Sequence, residues 1–156
     1  MDIQRATHAD IGDLVWLGRE MQAESAVGFP AIDPAAIAAH LDLTIANPDR
    51  VFMAIAHADG APVGLVNGVI GAYPFSDERR ACCDTLFVHS GFRGRHAGPR
   101  LLKRFDSWGT ENGAQSIYLG ISSGITPDRT ARLLARLGYV PLGQTFRKEI
   151  GTCVPA

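Results

Sequence analysis

Residues 91–102 read GFRGRHAGPRLL, and this stretch is the most informative about the fold of the chain. Three glycines and three arginines stand between an apolar run and a helical pattern. Glycine loses more backbone entropy on folding than any other residue, so this spacing predicts left-handed backbone angles or close approach to a ligand. The arginines predict that this ligand is an anion.

The stretch joins a predicted strand, residues 81–88, to a predicted helix. Pro99 is typical of the first helical turn, because its missing N–H would have no partner there. A glycine-rich turn at this place aims N–H groups outward at the positive end of the helix dipole, which favours phosphate. The spelling is not that of a Walker A loop, because Pro99 follows Gly98, and no G-x-G-x-x-G fingerprint is present.

The remaining patterns predict alternating strands and helices. In the first half of the chain they predict strand 2–6, a helix capped by Thr7 and Asp10, a second helix from Asp33-Pro34 to before Asn47-Pro48, and a hairpin of strands 51–58 and 62–73 around Asp59-Gly60. A loop over 74–80 leads to strand 81–88 and to the helix after Pro99. Strand 114–122, a helix from Thr126 to Gly138 and a last strand over 139–150 complete the prediction. A hairpin that feeds a strand-helix-strand unit predicts an α/β fold, with a mixed central sheet flanked by helices on both faces. One domain over 1–156 is expected, with 152–156 as a tail.

Composition sets the broad class. The chain has 156 residues, of which 46% are hydrophobic and 20% charged, and its net charge is −1, so we expect one core and no nucleic-acid partner. There is no apolar run of membrane-spanning length, which predicts a cytoplasmic protein without a membrane partner. Cys82, Cys83 and Cys153 have neither disulfide-framework nor zinc spacing, and no metal site is predicted.

Arg93, His96 and Gly98 spell R-x-x-H-x-G after the strand ending Leu86-Phe87-Val88. This resembles the acetyl-CoA loop of the GNAT superfamily of N-acetyltransferases, written as Arg or Gln, two residues, Gly, one residue, then Gly or Ala, after an L-x-V strand. The predicted element order and the stretch LLARLGYVPLG, residues 133–143, also resemble the family. The resemblance therefore covers nearly all of the chain.

The resemblance implies an acetyl-CoA site. Backbone amides from Gly94 to Gly98 and on to Arg100 would hold the pyrophosphate, and the backbone of Phe87 and Val88 would pair with the pantetheine arm. The implied cofactor-binding residues are Phe87, Val88, Arg93, Gly94, Arg95, His96, Ala97, Gly98 and Arg100.

Three positions depart from the family pattern. His96 stands where the middle glycine usually is, and Pro127 replaces an asparagine that often opens the late helix. Leu134 stands where many members carry the tyrosine that protonates the leaving thiolate. No general acid is therefore assigned.

An amine must lose a proton to attack a thioester, because a lysine-like amine has a pKa of about 10.4. Asp84 is the candidate base, since related sequences often carry glutamate at its position. The alternative for Asp84 is an ion pair with Arg79 or Arg80. Glu24 could face the acceptor or be a solvated helix end.

His89 and His96 flank the loop. Each could shuttle protons or contact phosphate, or could simply be exposed.

The expected function is transfer of an acetyl group from acetyl-CoA to an amine, by direct attack in a ternary complex with the Val88 amide polarising the thioester. The alternative is a non-catalytic acyl-CoA-binding sensor or assembly module with the same fold. The sequence leaves the acceptor amine and the oligomeric state open, a homodimer included.

Overall fold

The structure is a computed structural model that describes residues 1–148. Five strands and four helices follow one another nearly as the sequence predicts. The strands are β1 (Asp2–Arg5), β2 (Val51–Ala58), β3 (Ala61–Tyr73), β4 (Ser76–Val88) and β5 (Ser116–Leu119). The helices are α1 (Ile11–Glu24), α2 (Pro34–Ala46), α3 (Ala97–Glu111) and α4 (Pro127–Arg136).

The strands form one mixed sheet in the order β1-β2-β3-β4-β5. The first four strands pair antiparallel, and β5 pairs parallel to β4 after the α3 crossover. A parallel pair needs a crossover connection of this kind, whereas the antiparallel neighbours β2 and β3 need only the turn at Asp59-Gly60. The mixed α/β sheet expected from the sequence is confirmed.

Helices cover both faces of the sheet. Strand β2 sends alternate side chains to opposite sides, so Phe52 and Ala54 pack under α3, while Met53 and Ile55 pack under α1 and α2. Phe105 of α3 lies edge-on against Phe52, with ring centroids 5.9 Å apart. The two apolar layers hold the sheet between its helices, as the sequence predicts.

Strand β4 begins earlier than expected. The predicted loop over 74–80 is wrong, because β3 and β4 pair as far out as Tyr73 and Ser76. The charged residues of this segment sit on a hairpin extension that meets solvent, where charge does not oppose strand formation. Arg80 stacks over the ring of Tyr73 at 4.4 Å.

The last predicted strand is also wrong over the residues that the structure describes. Residues 139–148 belong to no strand, and the side chains of Val140, Leu142 and Phe146 are 73%, 75% and 85% exposed. Pro141 has no N–H to donate to a ladder, which weakens strand pairing here. Residues 149 and 150 of that prediction, and the tail 152–156, lie outside the described residues.

No helix within residues 1–148 combines the length and the apolar character needed to span a membrane.

Candidate active site

A deep cleft opens where β4 and β5 part. Their parallel pairing runs from Arg80 and Ser116 to Cys83 and Leu119, where β5 ends. Beyond that point the last residues of β4 and the chain after β5 form opposite walls of a cleft of about 410 Å³. The four-residue length of β5, against the predicted 114–122, is what leaves this space.

Asp84 lies at the point of divergence because β4 carries a β-bulge there. Asn67 pairs with Thr85 and Gly68 pairs with Cys83, so Asp84 is the extra residue of β4. A bulge bends its strand and redirects a side chain. Gly68 permits the close approach, since a Cβ there would lie 2.1 Å from the carbonyl oxygen of Cys82.

The Asp84 side chain lines the cleft without a charged partner. None of the salt bridges found in residues 1–148 involves it, and Arg80 instead stacks on Tyr73. Asp84 is exposed at the edge of the cleft, but its partial burial raises its pKa, and the electrostatic influence of nearby His40 partly offsets this rise. A carboxylate with a raised pKa is a stronger base than an ordinary surface aspartate.

The glycine-rich stretch forms the floor of the cleft, and several of its amides are unbonded. Within the described chain, the N–H groups of Gly94, His96, Ala97 and Gly98 donate to no protein acceptor. The first backbone bond of α3 runs from the N–H of Arg100 to the carbonyl of His96, at 3.1 Å. Free N–H groups at a helix N-terminus are the usual means by which a protein binds phosphate.

Two residues of this loop have left-handed backbone angles. Gly94 has a φ of 90° and His96 a φ of 66°, both in the left-handed region that favours glycine. Gly98, by contrast, has ordinary helical surroundings, and a Cβ there would only touch Leu133 at 3.5 Å and Val88 at 3.8 Å. The fold therefore does not itself require glycine at position 98.

Arg93 turns back onto the protein. Its Nε donates to the carbonyl oxygen of Val88 at 2.9 Å, and its guanidinium forms a salt bridge with Glu24 at 2.5 Å. The two side chains are only 18% and 25% exposed. Glu24 thus anchors Arg93 at the cleft wall and is not the solvated helix end offered as the alternative.

The implied cofactor-binding residues divide into two groups. Six of them line the cleft, namely Phe87, Val88, Arg93, Gly94, His96 and Gly98. Arg95 stacks on Phe92, Ala97 is buried in the core under α3, and the Arg100 guanidinium donates to the carbonyl of Met1. The side chains of these last three residues face away from the cleft.

Helix α4 contributes a row of arginines that the sequence analysis missed. Arg129, Arg132 and Arg136 all line the cleft. The Arg129 guanidinium lies 3.2 Å from the position that a Cβ would take at Gly94. Their spacing of three and four residues places them on one helical face, and this pattern could have identified them.

The described cleft holds no tyrosine. Leu134 is buried, in keeping with its apolar character, and Tyr139 instead donates to a carboxylate oxygen of Asp106. Cys83 also borders the cleft, but burial, with the charges of Asp84 and Asp106, raises its pKa to about 12. It is a neutral thiol at physiological pH and a poor nucleophile.

His89 orders the turn before the loop. Its Nδ1 accepts from the N–H of Gly91 at 3.3 Å, and its Nε2 lies 3.5 Å from a carboxylate oxygen of Glu20. The ring also packs against Trp16, with centroids 5.0 Å apart. These contacts give His89 a structural task beside the cleft.

A second cavity, of about 360 Å³, adjoins the cleft and shares Met21, Phe29 and Thr85 with it. It lies between α1, α2 and the sheet. Its walls are mostly apolar, and the buried His40 Nε2 and Asn67 Oδ1, both without a hydrogen-bond partner, border it.

One cluster elsewhere has metal-like composition. Asp10, Asp13 and His57 bring ligand atoms to within 4.8 Å of one another. However, Asp10 caps the turn before α1 by accepting from the N–H of Thr7 at 2.8 Å, and His57 lies 2.9 Å from an oxygen of Asp13. These protein contacts account for the cluster.

Comparison with known proteins identifies the class to which this fold and cleft belong. The model of the acetyltransferase (GNAT) family matches residues 16–139, and the chain therefore belongs to that family. This confirms the resemblance inferred from the loop. No curated protein sequence matches the chain significantly.

Solved structures show the same fold at low sequence identity. AAC(6')-Iy, in complex with a CoA-containing bisubstrate analogue, has a TM-score of 0.74 and 18% identity over 97% of this chain and 98% of its own. Glucosamine-6-phosphate N-acetyltransferase from Arabidopsis thaliana has a TM-score of 0.77 and 11% sequence identity, over 96% of this chain and 98% of its own. The ribosomal-protein-alanine N-acetyltransferase from Brucella melitensis biovar Abortus 2308 has a TM-score of 0.72 and 16% sequence identity, over 96% of this chain and 100% of its own.

Proposed function

We propose that this protein is an acetyl-CoA-dependent N-acetyltransferase, in which acetyl-CoA and an amine react directly while both are bound. The observation that carries the proposal is the cleft between the parted strands, whose floor presents four unbonded amides at the start of α3. A pyrophosphate offers acceptors for these amides. The arginine row of α4 supplies the positive charge that a multiply charged cofactor needs.

Position 98 supports the same reading. A Cβ at Gly98 would make only ordinary contacts in the protein, yet the residue borders the cleft. A glycine that the fold does not require is explained if a ligand approaches its backbone. His96 borders the cleft as well, and we propose that its amide, rather than its imidazole, binds the ligand.

Acetyl-CoA supplies the acetyl group as a thioester. The amine nitrogen forms a bond to the carbonyl carbon, the carbon–sulfur bond breaks, and the thiolate takes up a proton from solvent. Asp84 accepts the proton that the amine loses. The Val88 amide polarises the thioester carbonyl, and Cys83 stays a neutral thiol, so no acetylated enzyme forms.

The acceptor is not given by the likeness to solved structures. The names of these enzymes indicate acceptors as different as an aminoglycoside, a sugar phosphate amine and a ribosomal protein. The fold therefore serves several acceptor classes, and the acceptor of this chain must be argued from its own cavity.

The test is thiol release from acetyl-CoA with a panel of small primary amines, peptides and proteins, paired with calorimetry of CoA binding alone. We expect CoA to bind and at least one amine to release thiol and yield its N-acetyl product. CoA binding without acetylation of any acceptor would favour the sensor or assembly module. That module is the second candidate because no tyrosine of residues 1–148 lines the cleft. Failure to bind CoA would overturn both.

A further inference from the structure

The second cavity has walls suited to an apolar group. The side chains that line it are mostly aliphatic or aromatic and come from both helices and the sheet, among them Leu14, Met21, Phe29, Ile37, Met53 and Leu65. Its volume of about 360 Å³ is at the small end of ligand pockets. An occupant of this size carries one ring or one branched aliphatic group.

Two polar atoms at this cavity have no partner. Oδ1 of Asn67 and Nε2 of His40 are both buried, and neither forms a hydrogen bond within the described residues. Buried polar atoms are nearly always bonded, so these two require a ligand group or water. A hydroxyl both donates and accepts, so it suits an amide oxygen such as that of Asn67 and an imidazole N–H such as that of His40.

Charge makes the cavity unsuited to a polycation. Among its lining residues, only Asp33 carries a carboxylate, and that group already accepts from the N–H of Ala35 at 2.9 Å to cap α2. The neighbouring cleft carries Arg129 and its α4 neighbours. An occupant with several positive charges would meet only this one carboxylate, which is already hydrogen-bonded, and would be repelled by the arginines of the neighbouring cleft.

The cavity opens beside the proposed base. Thr85, the residue after Asp84, lines both the cleft and the cavity. His40, on the cavity side, acts electrostatically on Asp84. A small molecule in the cavity can therefore present an amine to Asp84 and to a thioester held in the cleft.

We propose that this cavity binds the acceptor, and that the acceptor is a small primary amine with an apolar body and a hydroxyl group bound by Asn67 and His40. This inference rests on the proposed acetyltransferase function. It assigns Asn67 and His40 as specificity-determining residues and excludes polyamines and other polycations as good acceptors.

The test compares three amines on the wild-type protein saturated with CoA. Tyramine has a ring and a hydroxyl, phenethylamine is the same molecule without the hydroxyl, and spermidine is a polycation. By calorimetry we expect tyramine to bind at least about tenfold tighter than phenethylamine, and spermidine to bind most weakly. Equal affinity for the two aromatic amines, or tightest binding of spermidine, would overturn the inference.

Two variants assign the effect to this cavity. Asn67→Leu removes the acceptor at similar volume, and the preference for tyramine over phenethylamine should shrink to about twofold or less. Ala36→Phe, at an exposed lining position of α2, should abolish amine binding and leave CoA affinity unchanged. Ala39→Phe is the matched control, because Ala39 is exposed on the same helix but is not a lining residue.

If Asn67→Leu fails to fold, the Ala36→Phe and Ala39→Phe pair still decides the matter. Unchanged amine affinity in a folded Ala36→Phe would overturn the inference. Thiol release with spermidine but not with tyramine would also overturn it, while supporting the transferase. Tight tyramine binding without thiol release with tyramine or any other amine of the panel would show that the cavity binds a ligand, but would overturn its assignment to an acceptor together with the transferase.

Discussion

The cleft and the second cavity meet at Thr85, and they differ in the charge of their walls and in the number of unbonded backbone amides that border them. The cleft is bordered by arginines and by unbonded backbone amides, whereas the second cavity is bordered by apolar side chains and two unpaired polar atoms. Free amides and cations suit a phosphate-bearing ligand, and apolar walls suit an uncharged body. This contrast is the basis of our proposal that the cleft binds acetyl-CoA and that the second cavity binds the acceptor amine.

The largest expected effect comes from Gly98→Val, which puts a branched side chain where a ligand would approach the loop. We expect CoA affinity to fall by about a thousandfold, roughly 4 kcal/mol. The thermal midpoint should change little, because the backbone at position 98 is ordinary helix and its neighbours, Leu133 and Val88, are at normal contact distance. Calorimetry and a melting curve measure the two quantities.

Gly12→Val is the matched control for this change. Gly12 is the second residue of α1, as Gly98 is the second residue of α3, and a Cβ at Gly12 would meet open space. Its CoA affinity should equal that of the wild type. An equal loss in both variants, or unchanged CoA affinity in folded Gly98→Val, would contradict the assignment of the cleft.

The next largest effect is expected from Asp84→Asn, at the boundary between the cleft and the second cavity. Asp84→Asn keeps the shape of the side chain and removes its basicity, so turnover should fall about a hundredfold while CoA affinity barely changes. Since burial raises the pKa of Asp84, wild-type turnover should rise with pH through a pKa above that of an ordinary aspartate. That acid limb should disappear in the variant.

The pH dependence of protein stability gives an independent test of the role of Asp84. A carboxyl whose pKa is raised in the folded state stabilises the protein below its unfolded pKa and loses that contribution as pH rises through the folded pKa. At neutral pH the Asn variant should therefore melt no lower than the wild type. A lower melting temperature with normal turnover would show that Asp84 is an ion-pair partner.

The smallest expected effect is that of His96→Gly. Relief of the left-handed backbone, worth about 1–2 kcal/mol, less about 0.5–1 kcal/mol for the entropy of glycine, leaves a gain of at most about 1.5 kcal/mol. The melting temperature should not fall and should rise by no more than about 6 °C, and CoA affinity should stay within about tenfold. His96→Ala keeps the Cβ and should show no gain in stability; complete loss of CoA binding in His96→Gly would make the imidazole a ligand.

The sequence predicted the loop well because its signals are local. Glycine spacing and Pro99 depend only on neighbouring backbone, and α3 begins within two residues of the expected place. The bulge at Asp84 was not predicted, because alternation along one strand does not reveal how many residues its partner contributes. Simple parity therefore could not show where the Asp84 side chain points.

Features built from distant segments were harder to predict. The second cavity joins α1, α2 and three strands, and its unpaired atoms belong to His40 and Asn67, which carry no motif. The last strand was predicted over residues 139–150, but Val140 and Leu142 are exposed and pair with no strand within the described residues. A pattern predicts a strand only if an edge is available to pair with it.

Hydrogen exchange on the wild-type protein tests the central claim most directly. The unbonded amides of residues 94–98 should exchange fast in the free protein and be strongly protected by saturating CoA, while residues 31–40 around the second cavity should not change. Protection of 31–40 with no change at 94–98 would contradict the account, because the donor would then occupy the apolar cavity.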